Sequence, residues 1–171
     1  MSLPPESSQT DHTASSDPRQ TALEATALLD TPPEAAFDRI TRLVSELLNA
    51  PVALVSLVDS KRQFFKSSCG LAEPWASKRQ TPLSHSFCQH VAASGTPLVI
   101  TDAREHPLVL ENLAIRDLKV IAYLGMPIKT PTGHTLGSLC AIDHVPRQWT
   151  EQEQSRLADL AEVVMSEIEI R

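Results

Sequence analysis

The chain is short of several things, and each shortage removes a class of function. Its 171 residues include only five glycines. None of them forms a GxGxxG or GxxxxGK run, so no backbone loop is built to cradle phosphates. Fifteen Lys and Arg stand against 21 Asp and Glu, a formal charge of −6. Neither a basic run nor a basic stripe interleaved with aromatics occurs, which argues against a dedicated nucleic-acid binder and against a polybasic membrane anchor. The longest apolar stretch, Ala50 to Val58, already contains Ser56. A spanning helix needs about twenty apolar residues, so no membrane span is expected. The N-terminus carries no apolar core of a secretory signal. The three cysteines, Cys69, Cys88 and Cys140, never fall in CxxC. That usage suits reduced thiols and a cytoplasmic location.

What is present patterns as one domain with a tail. Residues 1–16 are Ser, Thr, Pro and acid-rich, a composition that cannot offset its ordering entropy, so a disordered tail is expected before a domain at 17–171. Asp17-Pro18 reads as an N-cap with proline in the first turn of a short helix running to Leu29. Thr31-Pro32-Pro33-Glu34 reads as a capping box. It opens an amphipathic helix in which Phe37, Ile40, Val44 and Leu48 recur at helical spacing. The period then changes. Val52 to Val58 and Arg62 to Ser68 flank Asp59-Ser60-Lys61, the signature of an antiparallel hairpin. A polar loop leads to Ser86-Phe87-Cys88-Gln89, a further capping pattern, and to a helix that Gly95 should end.

Pro97 to Thr101 reads as a short strand, and Asp102 to Leu118 as a long connection with one or two short helices. Such connections are often lids or pocket walls. Val120 to Lys129 and His134 to Asp143 flank Pro131-Thr132-Gly133, a second hairpin. Leu136, Cys140 and Ile142 are expected on one face of its second strand, Leu139 and Ala141 on the other, so both faces should be covered. Thr150-Glu151-Gln152-Glu153 caps a last helix whose stripe is Leu157, Leu160, Ala161, Val164 and Ile168. That stripe suits packing on a sheet and suits a helix-pair seam. Hairpins with helices outside them define an α+β domain.

Thr31-Pro32-Pro33-Glu34 with Phe37-Asp38-Arg39-Ile40 resembles the entry helix of a large branch of bacterial GAF domains. Ser86-Phe87-Cys88 with His90, Pro97-Leu98-Val99-Ile100 before Asp102-Ala103, and Ala122 to Pro127 resemble it too. So do Leu136 to Asp143 and Pro146-Arg147. The resemblance covers about residues 20–171. It implies a six-stranded antiparallel sheet with terminal helices on one face and a helix-roofed pocket on the other. It also implies a sensory signal-transduction module, placed upstream of a histidine kinase, a nucleotide-cyclase-type enzyme or a PP2C-type phosphatase. Fold does not give chemistry, so each candidate site is weighed on its own residues.

No catalytic set emerges. Gly137-Ser138 lies in a strand and lacks the G-x-S-x-G elbow. Relatives that reduce free methionine sulfoxide need an attacking and a resolving thiol, and neither Lys78 to Leu83 nor Asn112 to Leu118 contains cysteine, so that redox reading is the disfavoured alternative. Cys88 reads as a buried structural thiol. His85, Cys88 and His90 do not share one helical face, so no metal site is expected. No Cys-His dipeptide is present for a covalent bilin, and no cofactor is assigned. The candidate ligand-binding residues are Phe65, Phe87, His90, Asp102 and Tyr123. The aromatics would line a cavity and Tyr123 would add a hydroxyl, while Asp102 serves either as an N-cap or as a carboxylate at the mouth. The reading is therefore a non-enzymatic sensor that binds an unidentified small molecule, dimerises through its terminal helices and signals to an output domain. A dimerisation module with a collapsed pocket is the other non-enzymatic reading.

Overall fold

The computed structural model describes residues 17–171, and the expected N-terminal tail lies outside them. Six strands form one antiparallel sheet in the order β3-β2-β1-β6-β5-β4. They are β1 (Val52–Val58), β2 (Arg62–Cys69), β3 (Gln80–Pro82), β4 (Leu98–Ile100), β5 (Ala122–Lys129) and β6 (Thr135–Asp143). The helices are α1 (Pro18–Ala25), α2 (Ala35–Leu48), α3 (Trp75–Lys78), α4 (Cys88–Ser94), α5 (Ala114–Asp117) and α6 (Glu151–Glu169). The α+β class and the six-stranded sheet agree with the expectation.

Strand side chains alternate between faces, and each face has its own apolar core. Val55, Leu57, Leu124 and Leu139 pack with Phe37 and Val44 of α2 and with Leu157 and Val164 of α6. On the opposite face Leu54, Phe65, Tyr123, Cys140 and Ile142 pack under α4 and α5. Two bulges disturb the alternation. Ile128 pairs with Gly137 but Lys129 with Thr135, so Leu136 is the extra residue of β6. It therefore joins the terminal-helix core, not the Cys140 side that strict alternation assigns it. Likewise Val55 pairs with Ser67 and Ser56 with Phe65, leaving Lys66 as the extra residue of β2.

That bulge explains where α2 begins. The Lys66 side chain is fully buried and pairs with Glu34, while its ammonium donates to the Thr31 hydroxyl at 2.7 Å and the Pro32 carbonyl at 2.6 Å. Thr31 is thus occupied elsewhere, and the helix starts at Ala35 from Glu34 with no side-chain cap, not from a Thr31 box. The helix expected to reach Leu29 stops at Ala25 because Ala27 turns left-handed and the Thr26 hydroxyl caps the Leu23 carbonyl. The box at Thr150 forms, Thr150 and Glu153 capping each other reciprocally. At Ser86 only half of one forms, because Gln89 N–H donates to the Ser86 hydroxyl while the Gln89 amide turns to the Leu83 and Ser86 carbonyls. The helix there opens from Phe87 without a side-chain cap.

The α6 stripe faces the sheet. Leu157, Ala161, Val164 and Ile168 are buried, so they do not form a free seam for a partner helix. Helices α2 and α6 run antiparallel, with Arg171 against Glu34 at one end. At the other end Arg147 donates to the Leu48 and Asn49 carbonyls and stacks on Trp149 with its guanidinium 4.3 Å from the ring centroid.

Candidate ligand pocket

The face opposite the terminal helices carries a polar cluster in an apolar core. Ser56 and Ser138 are register partners on β1 and β6, and both are fully buried. The Gln63 amide of β2 ties the cluster together. Its oxygen accepts from the Ser56 hydroxyl at 3.0 Å and the Ser86 hydroxyl at 2.9 Å. Its nitrogen donates to the Thr81 hydroxyl at 2.8 Å and the His85 carbonyl at 3.0 Å. Tyr123 of β5 donates to the Cys88 sulfur at 3.2 Å and shares a hydrogen bond with Ser138 at 3.0 Å. Phe87 packs on the Tyr123 ring with centroids 5.4 Å apart. A polar group buried in such a core costs free energy unless paired, and here each of these groups is paired.

A void of about 10 Å³ lies among Leu54, Gln63, Phe87, Cys88, Leu118 and Tyr123. It is at the threshold for a single water molecule. The roof over it is slight. Helix α5 has four residues and is tied down by His85 Nε2 against an Asp117 carboxylate oxygen at 2.7 Å. The neighbouring segment leaves Leu108 49% and Leu110 50% exposed, while Val109 alone of its centre is buried. Elements with few buried apolar anchors open at low free energy. Larger clefts, along α6 and outside the roof, are open surface grooves, and none of the buried polar side chains lines them.

The ionisable groups around the void are each held by specific neighbours. Arg116 and then His85 hold the Asp117 carboxyl far below its ordinary value. Burial raises the Cys88 thiol, and the hydrogen bonds with Cys140 and then Tyr123 outweigh it and leave the thiol lowered to about 7. Burial pushes the Tyr123 hydroxyl and the Cys140 thiol up. Among the described residues no group of three His, Cys, Asp or Glu side chains is arranged to hold a metal ion.

Of the residues singled out by sequence, Phe87 and Tyr123 line the void. Phe65 belongs to the same apolar core but not to the void's wall. His90 stands on the outer side of α4, beside Leu98 and Leu108, where burial and then His106 lower its basicity. Asp102 caps the turn Ala103–Glu105 and pairs with Arg104, away from the void. Sequence reading missed Gln63, Ser56, Ser86 and Ser138. The signal for two of them was a lone serine in the middle of an otherwise apolar strand.

The family model of the GAF domain matches residues 32–168, and the chain belongs to that family. A cyclic di-GMP phosphodiesterase of Pseudomonas aeruginosa is 32% identical over 152 residues, covering 88% of this chain and 25% of that protein's length. The GAF domain of an Acinetobacter phosphoenolpyruvate-protein phosphotransferase superposes with a TM-score of 0.67 at 17% identity, over 88% of this chain and 89% of that one. A type II free methionine-R-sulfoxide reductase of Thermoplasma acidophilum gives a TM-score of 0.64 at 10% identity, over 85% and 94% of the two chains. At such identities the structural likeness is one of fold. No described helix is long and apolar enough to cross a membrane.

Proposed function

We propose that this GAF domain is a cytoplasmic, non-catalytic sensory module that admits a small, uncharged, hydrogen-bonding molecule beneath α5. The observation that carries this reading is the Gln63–Ser56–Ser86–Tyr123–Ser138 cluster. It gathers donors and acceptors without net charge at one spot, under a roof whose helix has four residues and one buried side chain. The void of about 10 Å³ represents the closed state, and a ligand would stabilise an open one by its differential affinity for the two. Phe87 and Tyr123 would contact the ligand; Phe65 would support them, and His90 and Asp102 would act at the rim of the roof. The signal would leave through β1 and β6, whose other face carries α2 and α6, to an output domain such as a histidine kinase. The chain's 25% share of its phosphodiesterase relative supports an arrangement in which such a domain is joined to others.

Native mass spectrometry of the purified protein tests this. A co-purifying small molecule, released on denaturation and absent from a Phe87→Trp variant, supports it. A bare protein that no member of a library of neutral metabolites protects against thermal unfolding contradicts it. The tightness of the void favours a second reading, a dimerisation module with a permanently collapsed pocket. That reading predicts the bare protein together with a stable dimer.

A further inference from the structure

In the apolar core of the pocket face two thiols that lie far apart in sequence meet, one of them, Cys88, lining the void. Cys88 begins α4 and Cys140 is central in β6, and their sulfurs are 3.9 Å apart. Both are free and buried, whereas Cys69 is half-buried at the end of β2. No other pair of cysteines is brought together. The Tyr123 hydroxyl, itself bonded to Ser138, donates to the Cys88 sulfur. From this geometry we propose that Cys88 and Cys140 are a thiol-oxidation site, which a small uncharged hydroperoxide converts into an intramolecular disulfide.

The chemistry balances within those atoms and the peroxide. The Cys88 sulfur attacks one peroxide oxygen, an S–O bond forms and the O–O bond breaks. With hydrogen peroxide the departing hydroxide takes up the thiol proton and leaves as water (with an alkyl hydroperoxide an alkoxide does so and leaves as the alcohol), and Cys88 becomes a sulfenic acid. The Cys140 sulfur then attacks that sulfur, the S–S bond forms, the S–O bond breaks and a second water leaves with the Cys140 proton. The dithiol is oxidised by two electrons and the hydroperoxide is reduced. The thiolate is the attacking form; burial opposes it at Cys88, and the hydrogen bonds with Cys140 and Tyr123 outweigh burial and bring the thiol to about 7. A neutral oxidant suits the site because the void beside Cys88 is walled mainly by apolar side chains with Gln63 and Tyr123, and its one imidazole, His85, is already taken up by Asp117.

Bond formation has a structural consequence. The sulfurs must close from 3.9 Å to about 2 Å, drawing the start of α4 onto β6. Phe87 precedes Cys88, and Tyr123 contacts both, so the two void-lining aromatics move with the bridge. The oxidised protein therefore has a smaller void than the reduced one, and oxidation and ligand admission oppose each other. The bridge itself does not depend on a ligand existing.

Peroxide treatment of the folded protein, acid quenching and alkylation in denaturant test the proposal. The expected product is lighter by two hydrogens, carries the alkyl label only at Cys69 and yields a peptide joining Cys88 to Cys140. A Cys69→Ser variant should behave identically, and Cys88→Ser or Cys140→Ser should lose the bridge. Full alkylation of Cys88 and Cys140 after treatment overturns the proposal. So does oxygen added to Cys88 without a crosslink, or a bridge that recruits Cys69. The peptide map of the unsubstituted protein decides the matter even if a variant fails to fold.

Discussion

Tyr123 reaches Cys88 because Gly125, two residues further along β5, has no side chain. A Cβ at Gly125 would sit 2.5 Å from the Tyr123 hydroxyl and 2.6 Å from the ring, so the ring lies over the strand only while that position is glycine. Gly125→Ala should displace Tyr123 and destabilise the fold by about 1–3 kcal/mol, the usual cost of overpacking a core. Urea denaturation would read this as a lower midpoint. The same hydroxyl bears on how Cys88 titrates. Cys140 and Tyr123 face its sulfur, and its thiol stands at about 7 rather than the ordinary 9.0. A group whose acidity is raised loses its proton at lower pH, so the rate of bridge formation should climb through a midpoint of about 7. A midpoint near 9.0, the unperturbed thiol value, would mean that the hydroxyl and thiol donors do not stabilise the thiolate.

At the scale of elements, much of the molecule was legible and the exceptions have common causes. Both hairpins, the helix stop at Gly95, the Thr150 box and the Asp102 cap are written in short-range chemistry, and the structure has them. The misplaced faces and the misplaced start of α2 come from long-range events, whereas the early end of α1 is local, set by Thr26 and Ala27. The Leu136 and Lys66 bulges change which face a residue meets, and Lys66 then captures Thr31 and moves the start of α2. The pocket was legible in its aromatics, Phe87 and Tyr123, because large rings announce burial. The Cys88–Cys140 approach was not, since nothing local links residues on different elements 52 positions apart. The α6 stripe was ambiguous because helix–sheet and helix–helix packing use the same spacing. Its burial separates two substitutions at adjacent positions. Val164 is fully buried and Val163 is 49% exposed. Val164→Asp should unfold the domain, placing an unpaired charge in its core, whereas Val163→Asp should leave the melting temperature within a few degrees.

For the whole molecule, the sheet separates a pocket face from a terminal-helix face. Leu43 and Leu47 on α2 and Val163 and Ile170 near the end of α6 are exposed apolar side chains on the antiparallel pair, and a dimer through the terminal helices, if it forms, is expected to cover them. Sedimentation equilibrium of the Val163→Asp variant should therefore show a weakened dimer with an intact fold. A wild-type monomer persisting to high micromolar concentration would remove the dimer from the account. A signal that starts under α5 has to cross the sheet to reach α2 and α6, and amide hydrogen exchange of a roof-wedged variant reads that crossing. Ala114 lines the void and is buried, so Ala114→Phe should prop α5 open as an entering ligand would. Faster exchange is expected in residues 103–121 and, with the fold intact, an accompanying change in α2 and α6 across the sheet. Faster exchange confined to the roof, with α2 and α6 unaltered, would contradict that crossing.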